Sequence, residues 1–447
     1  MMRLSTTRPT GLREAHCHLP MLGRALAMID VSMCRSLEEL MHTLSASSRV
    51  VQGAITDNSS TFRADHAHEW MIAVGMRVES WERATWPTRH DLDRLFPDRP
   101  CVVRSFDFHS LVANTEAMRR AGITRGTQDP PAGVFQRDSA GDMTGVALEA
   151  AEAVVWKAVP EPGPEARRGH LHAALEHLKG LGFVEAHDLK SPAWLGPELA
   201  TMADVGTLGM HIELYPMVEE ANAVMRTRTM WECDQVRLGG FKLFADGTLN
   251  SRTAWMLHPY RDGLSDHPCG LPNWSPEQIL EAVRIAQRCG VGLATHAIGD
   301  GAVRAVLDAI EEAKEGKGGE RVTHRIEHCE VIDEDDVPRF ARMGVVASVQ
   351  PCHLLYDIPV LQRALPQRLQ RVQPLRELIE SGCRPGELLW FGSDAPIVPA
   401  DPVASVAAAV GRGVLGVDGK PSPEAIQIGG DQAVSEVAAW KAFAAKR

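Results

Sequence analysis

Eight strand-like apolar runs, separated by stretches with helical spacing, constrain this chain more than any other feature. The first ends near His16 and His18. The others are 182–188 (GFVEAHD), 210–216 (MHIELYP), 239–247 (GGFKLFADG), 291–297 (VGLATHA), 323–329 (THRIEHC), 345–351 (VVASVQP) and 388–396 (LLWFGSDAP). Each is rich in β-branched or aromatic residues, and most close on Gly, Pro or Asp. Segments such as SPEQILEAVRIAQRCG and GAVRAVLDAIEEAKEG carry apolar residues at helical spacing, with Ser or Gly at their ends. Strand–helix alternation of this kind means parallel pairing through crossovers. Eight such units between Leu12 and about Gly413 predict an α/β fold, a (β/α)8 TIM barrel.

The spacing is uneven. About 165 residues separate the first strand from the second, too many for one crossover helix. The strand candidates VVQGAIT and CVVRSFDFH fall within that stretch, so an inserted α+β subdomain is expected over 40–160, ending at the turn-rich PEPGPEARRG. The expected layout is therefore 11–39 for the first barrel strand and loop, 40–160 for the insertion, 161–430 for the rest of the barrel, and 431–447 for a C-terminal helix. GKGGE (316–320) and DGKPSP (418–423) read as solvated loops.

Composition excludes several classes. No apolar run approaches the ~20 residues needed to span a bilayer, and MMRLSTTRPT lacks the apolar segment of a secretory signal. Nine Cys, an odd number with no CxxC pair, argue against a disulfide framework or a thiolate zinc site and favour a reducing cytoplasm. A net charge of −11 argues against nucleic acid as a partner. The expected partner is a small molecule, with no membrane association and a homodimer left open. Lys is scarce, nine against 38 Arg, with none before Lys157. A Lys inside an apolar strand therefore stands out, and Lys242 in Phe-Lys-Leu-Phe is one.

In a barrel of this kind the chemistry sits where the strands end. His16 and His18 lie at i and i+2 on a strand, so both rings can face one side and share an ion. His296, His328 and Asp394 end three further strands. Imidazoles with a carboxylate suit Zn²⁺ or a similar divalent ion, one or two in number. HxH alone is weak evidence, because 66–68 and 170–172 repeat it. The second of these lies in RRGHLHAALEHLKG, which reads as helix, where i and i+2 point ~200° apart. For Lys242 two readings stand: an ion pair with a carboxylate such as Asp246, or a neutral amine that captures CO2 as a carbamate bridging two metal ions.

With these residues in view, the chain resembles the amidohydrolase superfamily of metal-dependent hydrolases, and within it the amidohydrolase-3 group (YtcJ-like and formamide-deformylase-like proteins). AHCHLPMLG, FPDRPCVVRSFDFHS, FKLFADGTLNSRTAW, THAIGDGAV, HRIEHCEVI, VVASVQPCHL and FGSDAPIVPADP carry the resemblance, in the family's order, from about Gly11 to Val414. It implies His16 and His18 on one metal, Lys242 as carboxylated bridge, His296 and His328 on a second metal, and Asp394 as ligand and proton shuttle. The reaction it implies is hydrolysis of a C–N bond in a small linear amide or an N-formyl or N-acyl amine. Asp394, His328 and His296 would be the catalytic groups. The alternatives are a cyclic amide, lactone or phosphoester hydrolase on the same centre, or a non-catalytic remnant. Substrate contacts are expected from His109, whose segment approaches the active site in the family, and from Asp246, Arg252 and Trp255. Asp300 and His324 are candidates for orienting the ligand rings, with Asp300 equally readable as a helix N-cap. Two departures stand out. The family's flanking β-sandwich is expected to be missing or truncated, with ten residues before Gly11 and the chain stopping at Arg447 after a helical AVSEVAAWKAFAAK. Arg13 and Glu14 occupy positions where the family has an apolar residue and Asp.

Overall fold

The computed structural model describes residues 9–56, 70–78, 81–106, 108–131, 133–315, 322–413 and 427–445. The chain divides into two compact units, Met1–Leu19 with Leu175–Arg447, and Pro20–Ala174. The second unit thus begins before, and ends after, the 40–160 span expected for an insertion.

Strand β1 (Leu12–Cys17) belongs to the first unit. The Pro20–Ala174 unit holds β2 (Ile29–Asp30), β3 (Met71–Met76), β4 (Cys101–Ser105), β5 (Ser110–Ala113), β6 (Gly133–Arg137) and β7 (Met143–Glu149) in one sheet of order β2-β3-β4-β5-β7-β6. The first three pair in parallel and the rest antiparallel. Alternation along the strands sends Cys101, Val103, Val112 and Val146 into one core and Val102, Leu111, Ala113 and Ala147 into another. The sheet is therefore apolar on both faces, as a layer between helices must be. CVVRS forms β4 as expected. VVQGAIT does not form a strand: it ends the helix Leu37–Thr56. Its apolar residues 50, 51, 54 and 55 fall at helical spacing and continue the pattern of Leu40 and Leu44.

The first unit continues with β8 (Phe183–Leu189), β9 (His211–Tyr215), β10 (Val236–Leu238), β11 (Gly240–Phe244), β12 (Gly292–Ala297), β13 (Arg325–His328), β14 (Val346–Val349) and β15 (Leu389–Phe391). All eight expected runs contain a strand, and every pairing is parallel. The ladders form two sheets, β1-β8-β9-β10 and β11-β12-β13-β14-β15, rather than one continuous ring. Single bridges join Lys242 of β11 to Met217, two residues beyond β9, and Cys17 of β1 to Ala395, four residues beyond β15. The break falls at Gly239–Gly240, where a Cβ on Gly239 would come within 2.6 Å of the Tyr215 ring. The run before the break pairs with β9 and the run after it with β12.

Crossover helices fix the strands. Helix Pro276–Arg288 starts with Ser275 and Gln278 in a reciprocal capping box, with Pro276 in its first turn, together worth ~1 kcal/mol. It buries Ile279, Ala282, Val283 and Ala286 and so sets the step from β11 to β12, hence from Lys242 to His296. At the other end of the strands, the helix Glu436–Ala442 leads into Phe443, whose carbonyl accepts the Arg13 N–H and whose ring packs on Phe183 and Phe391. No helix among the described residues is long and apolar enough to cross a membrane. The His66/His68 pair and both expected loops (316–320 and 418–423) lie outside the described residues. His170 and His172 lie on the helix Pro164–Gly180.

Candidate metal centre

Parallel strands deliver their ends to one side of a sheet, and this brings the expected polar residues together. His16 lies within β1, Lys242 within β11 and His296 within β12, while His328 ends β13. His18 and Asp394 follow β1 and β15 directly. The His16 ring centre is 5.6 Å from that of His18 and 5.0 Å from that of His328, and His328 is 4.4 Å from His296. Asp394 Oδ1 lies 2.9 Å from His18 Nε2 and 3.2 Å from His16 Nε2. His16, His328 and Asp394 have ligand atoms within 4.8 Å of one another. His328 (φ 71°), Cys329 (φ 49°) and Asp394 (φ 64°) all adopt the left-handed region, a strain that persists only where surrounding contacts impose it.

The hydrogen bonds on the far side of each ring say what the near side offers. His16 Nδ1 lies 2.7 Å from Glu327 Oε2 and His18 Nδ1 lies 2.6 Å from the Leu189 carbonyl oxygen. A neutral ring in either place carries its proton on Nδ1 and presents a lone pair at Nε2. Both Nε2 atoms then face Asp394 Oδ1, His18 at 2.9 Å and His16 at 3.2 Å, an all-acceptor arrangement that a bound cation would hold together. His296 follows the same logic from the other nitrogen, since its Nε2 faces the Gly247 carbonyl at 3.0 Å. His328 Nδ1 is buried without a hydrogen-bond partner among the described residues. Burial holds both rings far below the usual imidazole range, His296 at about 3, the neutral state that metal ligation uses. Burial works against the Asp394 carboxylate, while positive charge on the His16 and His18 side, supplied by protonated rings, pulls it well below the usual range.

Lys242 is fully buried, and its Nζ has no hydrogen-bond partner among the described residues. It is not ion-paired with Asp246. That carboxylate accepts the main-chain N–H groups of Trp255, Ile298 and Gly299, and burial pushes it up to about 7. Its role is to tie the 246–255 loop to the end of β12, and at 1 % exposure it offers no surface to a substrate. Arg252 is likewise occupied, by Asp262 at 2.6 and 2.7 Å. The Trp255 carbonyl accepts the Gly301 and Ala302 N–H groups, which anchors the start of the helix Asp300–Glu315. The Asp246 and Arg252 side chains are thus engaged within the loop, while only the main chain of Trp255 is. His109 belongs to the Pro20–Ala174 unit, where its Nδ1 faces Glu149 at 2.9 Å.

The expected ring-orienting residues orient other groups. Asp300 accepts the Leu257 and Gly301 N–H groups and lies 3.4 Å from Arg368. His324 Nδ1 accepts the Leu293 N–H. Glu327 does for His16 what those two were expected to do; its only local mark in the sequence is that Arg, Glu and His occupy three of the four positions of β13. His353, with Nε2 3.9 Å from Asp394 and Nδ1 3.6 Å from Glu330, is a further neighbour that sequence reasoning passed over. A second cluster, Glu185–His187–Glu213, also has metal-like spacing. Arg325, a donor only, lies 2.7 Å from His187 Nδ1 and claims its lone pair, so Nε2 carries the proton toward Glu185 at 2.9 Å. No imidazole lone pair is left there for an ion.

Residues 10–430 match the model of the amidohydrolase family, and the chain belongs to that family. It is 30% identical to the Bacillus subtilis protein YtcJ over 407 residues, covering 90% of this chain and 73% of that one. It is 25% identical to an N-substituted formamide deformylase of Arthrobacter pascens over 433 residues, covering 88% and 76%. Among solved structures, an uncharacterized metal-dependent hydrolase from Pyrococcus horikoshii superimposes with a TM-score of 0.73 at 25% identity, over 97% of this chain and 79% of that chain.

Proposed function

We propose that the chain is a metal-dependent hydrolase that cleaves the C–N bond of a small linear amide, an N-formyl or N-acyl amine. The observation that carries this reading is Asp394 Oδ1 lying 2.9 Å from His18 Nε2 and 3.2 Å from His16 Nε2, with His328 within ligand reach of His16 and Asp394, a set of acceptors suited to Zn²⁺. The reading takes the nine parallel strands, with β10 and β11 as one interrupted run, as one barrel, supported by the bridges between the two sets of strands and by the common end at which the polar residues gather. The formamide deformylase among the relatives supports the choice of bond.

His16, His18, His296, His328 and Asp394 would hold the metal, with Lys242 as its carbamate between two ions. When bound, the metal polarises the substrate carbonyl and acidifies water. Asp394 takes a proton on a carboxylate oxygen as water adds to the carbonyl carbon, then delivers it to the nitrogen as the C–N bond breaks. His296 and His328, kept neutral by burial, hold their lone pairs available throughout. Lys242, buried without a partner, has a free lone pair when neutral. Attack on CO2 forms its N–C bond and releases one proton.

The test is a panel of N-formyl and N-acyl amines offered to zinc-loaded protein, with metal content measured in parallel. At least one divalent ion per chain and turnover of a linear amide are expected. A folded chain with less than one ion would remove the basis of the proposal.

A further inference from the structure

Glu327 is fully buried, and its carboxyl group is paired with Arg325 and His16. Arg325 grips it at both oxygens: Oε1 accepts from Arg325 Nε, while Oε2 accepts from Arg325 Nη2 at 3.1 Å and also faces His16 Nδ1 at 2.7 Å. Arg325 is itself fixed on four sides, by Glu327, the Ala15 carbonyl, Ser348 Oγ at 2.9 Å and His187 Nδ1 at 2.7 Å. Ala15 immediately precedes His16, so one guanidinium braces both the carboxylate that grips the ring and the main chain that carries it. Glu14 completes the hold, since its Oε1 accepts the His16 N–H at 3.1 Å and the Ser393 N–H at 2.8 Å. His18 has no such apparatus. Its Nδ1 rests on a neutral main-chain carbonyl.

We propose that Glu327, braced by Arg325, is the positioning residue of His16: it keeps the ring proton on Nδ1 and so aims the Nε2 lone pair at the cation site. The inference rests on the metal-centre reading above. A carboxylate behind an imidazole also raises its basicity, and losing such a partner lowers metal affinity 10–100-fold. His16 is by this account the stronger of the two β1 ligands.

Glu327→Gln makes the sharpest probe. Arg325 can only donate, so the new amide oxygen turns to Arg325 and its NH2 group faces His16. The ring must then accept at Nδ1 and carry its proton on Nε2, where the ion would bind. Histidine-selective ¹⁵N spectra of the apo-protein, with His16 assigned through a His16 variant, should place the proton on Nδ1 in the parent and on Nε2 in Glu327→Gln. Zinc affinity measured by chelator competition should fall 10–100-fold, with part recovered in Glu327→Asp. Because an unpaired Arg325 could impair folding, the pair Arg325→Met/Glu327→Leu serves as a second variant. It removes both charges and should lose zinc affinity while melting cooperatively. A folded double variant with parental zinc affinity would overturn the proposal, as would a parent His16 protonated on Nε2. A parent that binds no zinc would sink the hydrolase reading, while the spectra would still decide the role of Glu327.

Discussion

The amine of Lys242 lies 4.7 Å from the centre of the Phe244 ring and has no hydrogen-bond partner among the described residues. The two residues are i and i+2 on β11, so the contact is a consequence of strand geometry. A ring face attracts a cation, but it does not replace the hydrogen bonds that water supplied. Burial accordingly pushes the amine down to about 8, against the pull of Glu327 and Asp394. Burial thus shifts the balance towards the neutral amine. Lys242→Ala is expected to lower the divalent-ion content by one per chain, with partial restoration by short carboxylic acids that replace the carbamate. Elemental analysis checks this, and unchanged stoichiometry would count against the bridge.

Asp394 is close to two imidazoles and is held in a left-handed backbone conformation. Asp394→Asn preserves the shape and one oxygen ligand but cannot carry the proton. Metal content is expected to stay largely intact, while kcat falls ~10²–10⁴-fold, the usual contribution of a general acid–base group. A variant with near-parental kcat would show that the proton travels by another route.

The strands and the convergent histidines were legible because each leaves a local mark: an apolar run, or an ionisable residue inside one. Lys242 and His16/His18 were found that way. What the sequence concealed was direction. Asp246 and Arg252 are polar residues next to a strand end, as substrate contacts would be, yet their side chains are held by the main-chain groups and the Asp262 that shape the loop. Composition cannot separate a side chain that faces a substrate from one that closes a turn. Glu327 was missed for the opposite reason. Its partners, His16 and Arg325, come from a different strand and from two residues upstream, and only the pairing of the fold puts all three in one line.

Arg13 presents a test of the interior itself. It is fully buried, and none of its guanidinium nitrogens has a hydrogen-bond partner among the described residues. Burial lowers its pKa to about 10, with Glu185 the main opposing influence, and its guanidinium carbon stands 4.0 Å from the Trp390 ring centre. A buried cation without hydrogen bonds costs more than its electrostatic attractions return. Arg13→Met, which keeps the length and the contact with Trp390, is expected to stabilise the protein by ~1–2 kcal/mol in urea unfolding. A loss of stability of similar size would show that Glu185 and Trp390 outweigh the desolvation.

His324 sets a pH dependence whose sign can be worked out. The ring is buried and accepts the Leu293 N–H at Nδ1, and burial lowers its pKa to about 4 from the unfolded value near 6.5. Between these values the unfolded chain binds the proton and the folded chain does not, so stability rises with pH across that window. The contribution is fully present above pH ~6.5 and is lost as the pH falls through about 4. Its full size is about 3 kcal/mol, from 1.36 kcal/mol per unit. His187 and His296, both held at about 3 by burial, act in the same direction. Asp188 and Asp246, raised to about 6 and 7, act in the opposite direction. The comparison must therefore be between variants of the apo-protein in chelator. His324→Gln retains an oxygen for the Leu293 N–H and removes the titration. Its urea midpoint should change less steeply between pH 6.5 and 4 than that of the parent, and parallel curves for the two would show that His324 titrates alike in the folded and unfolded chains.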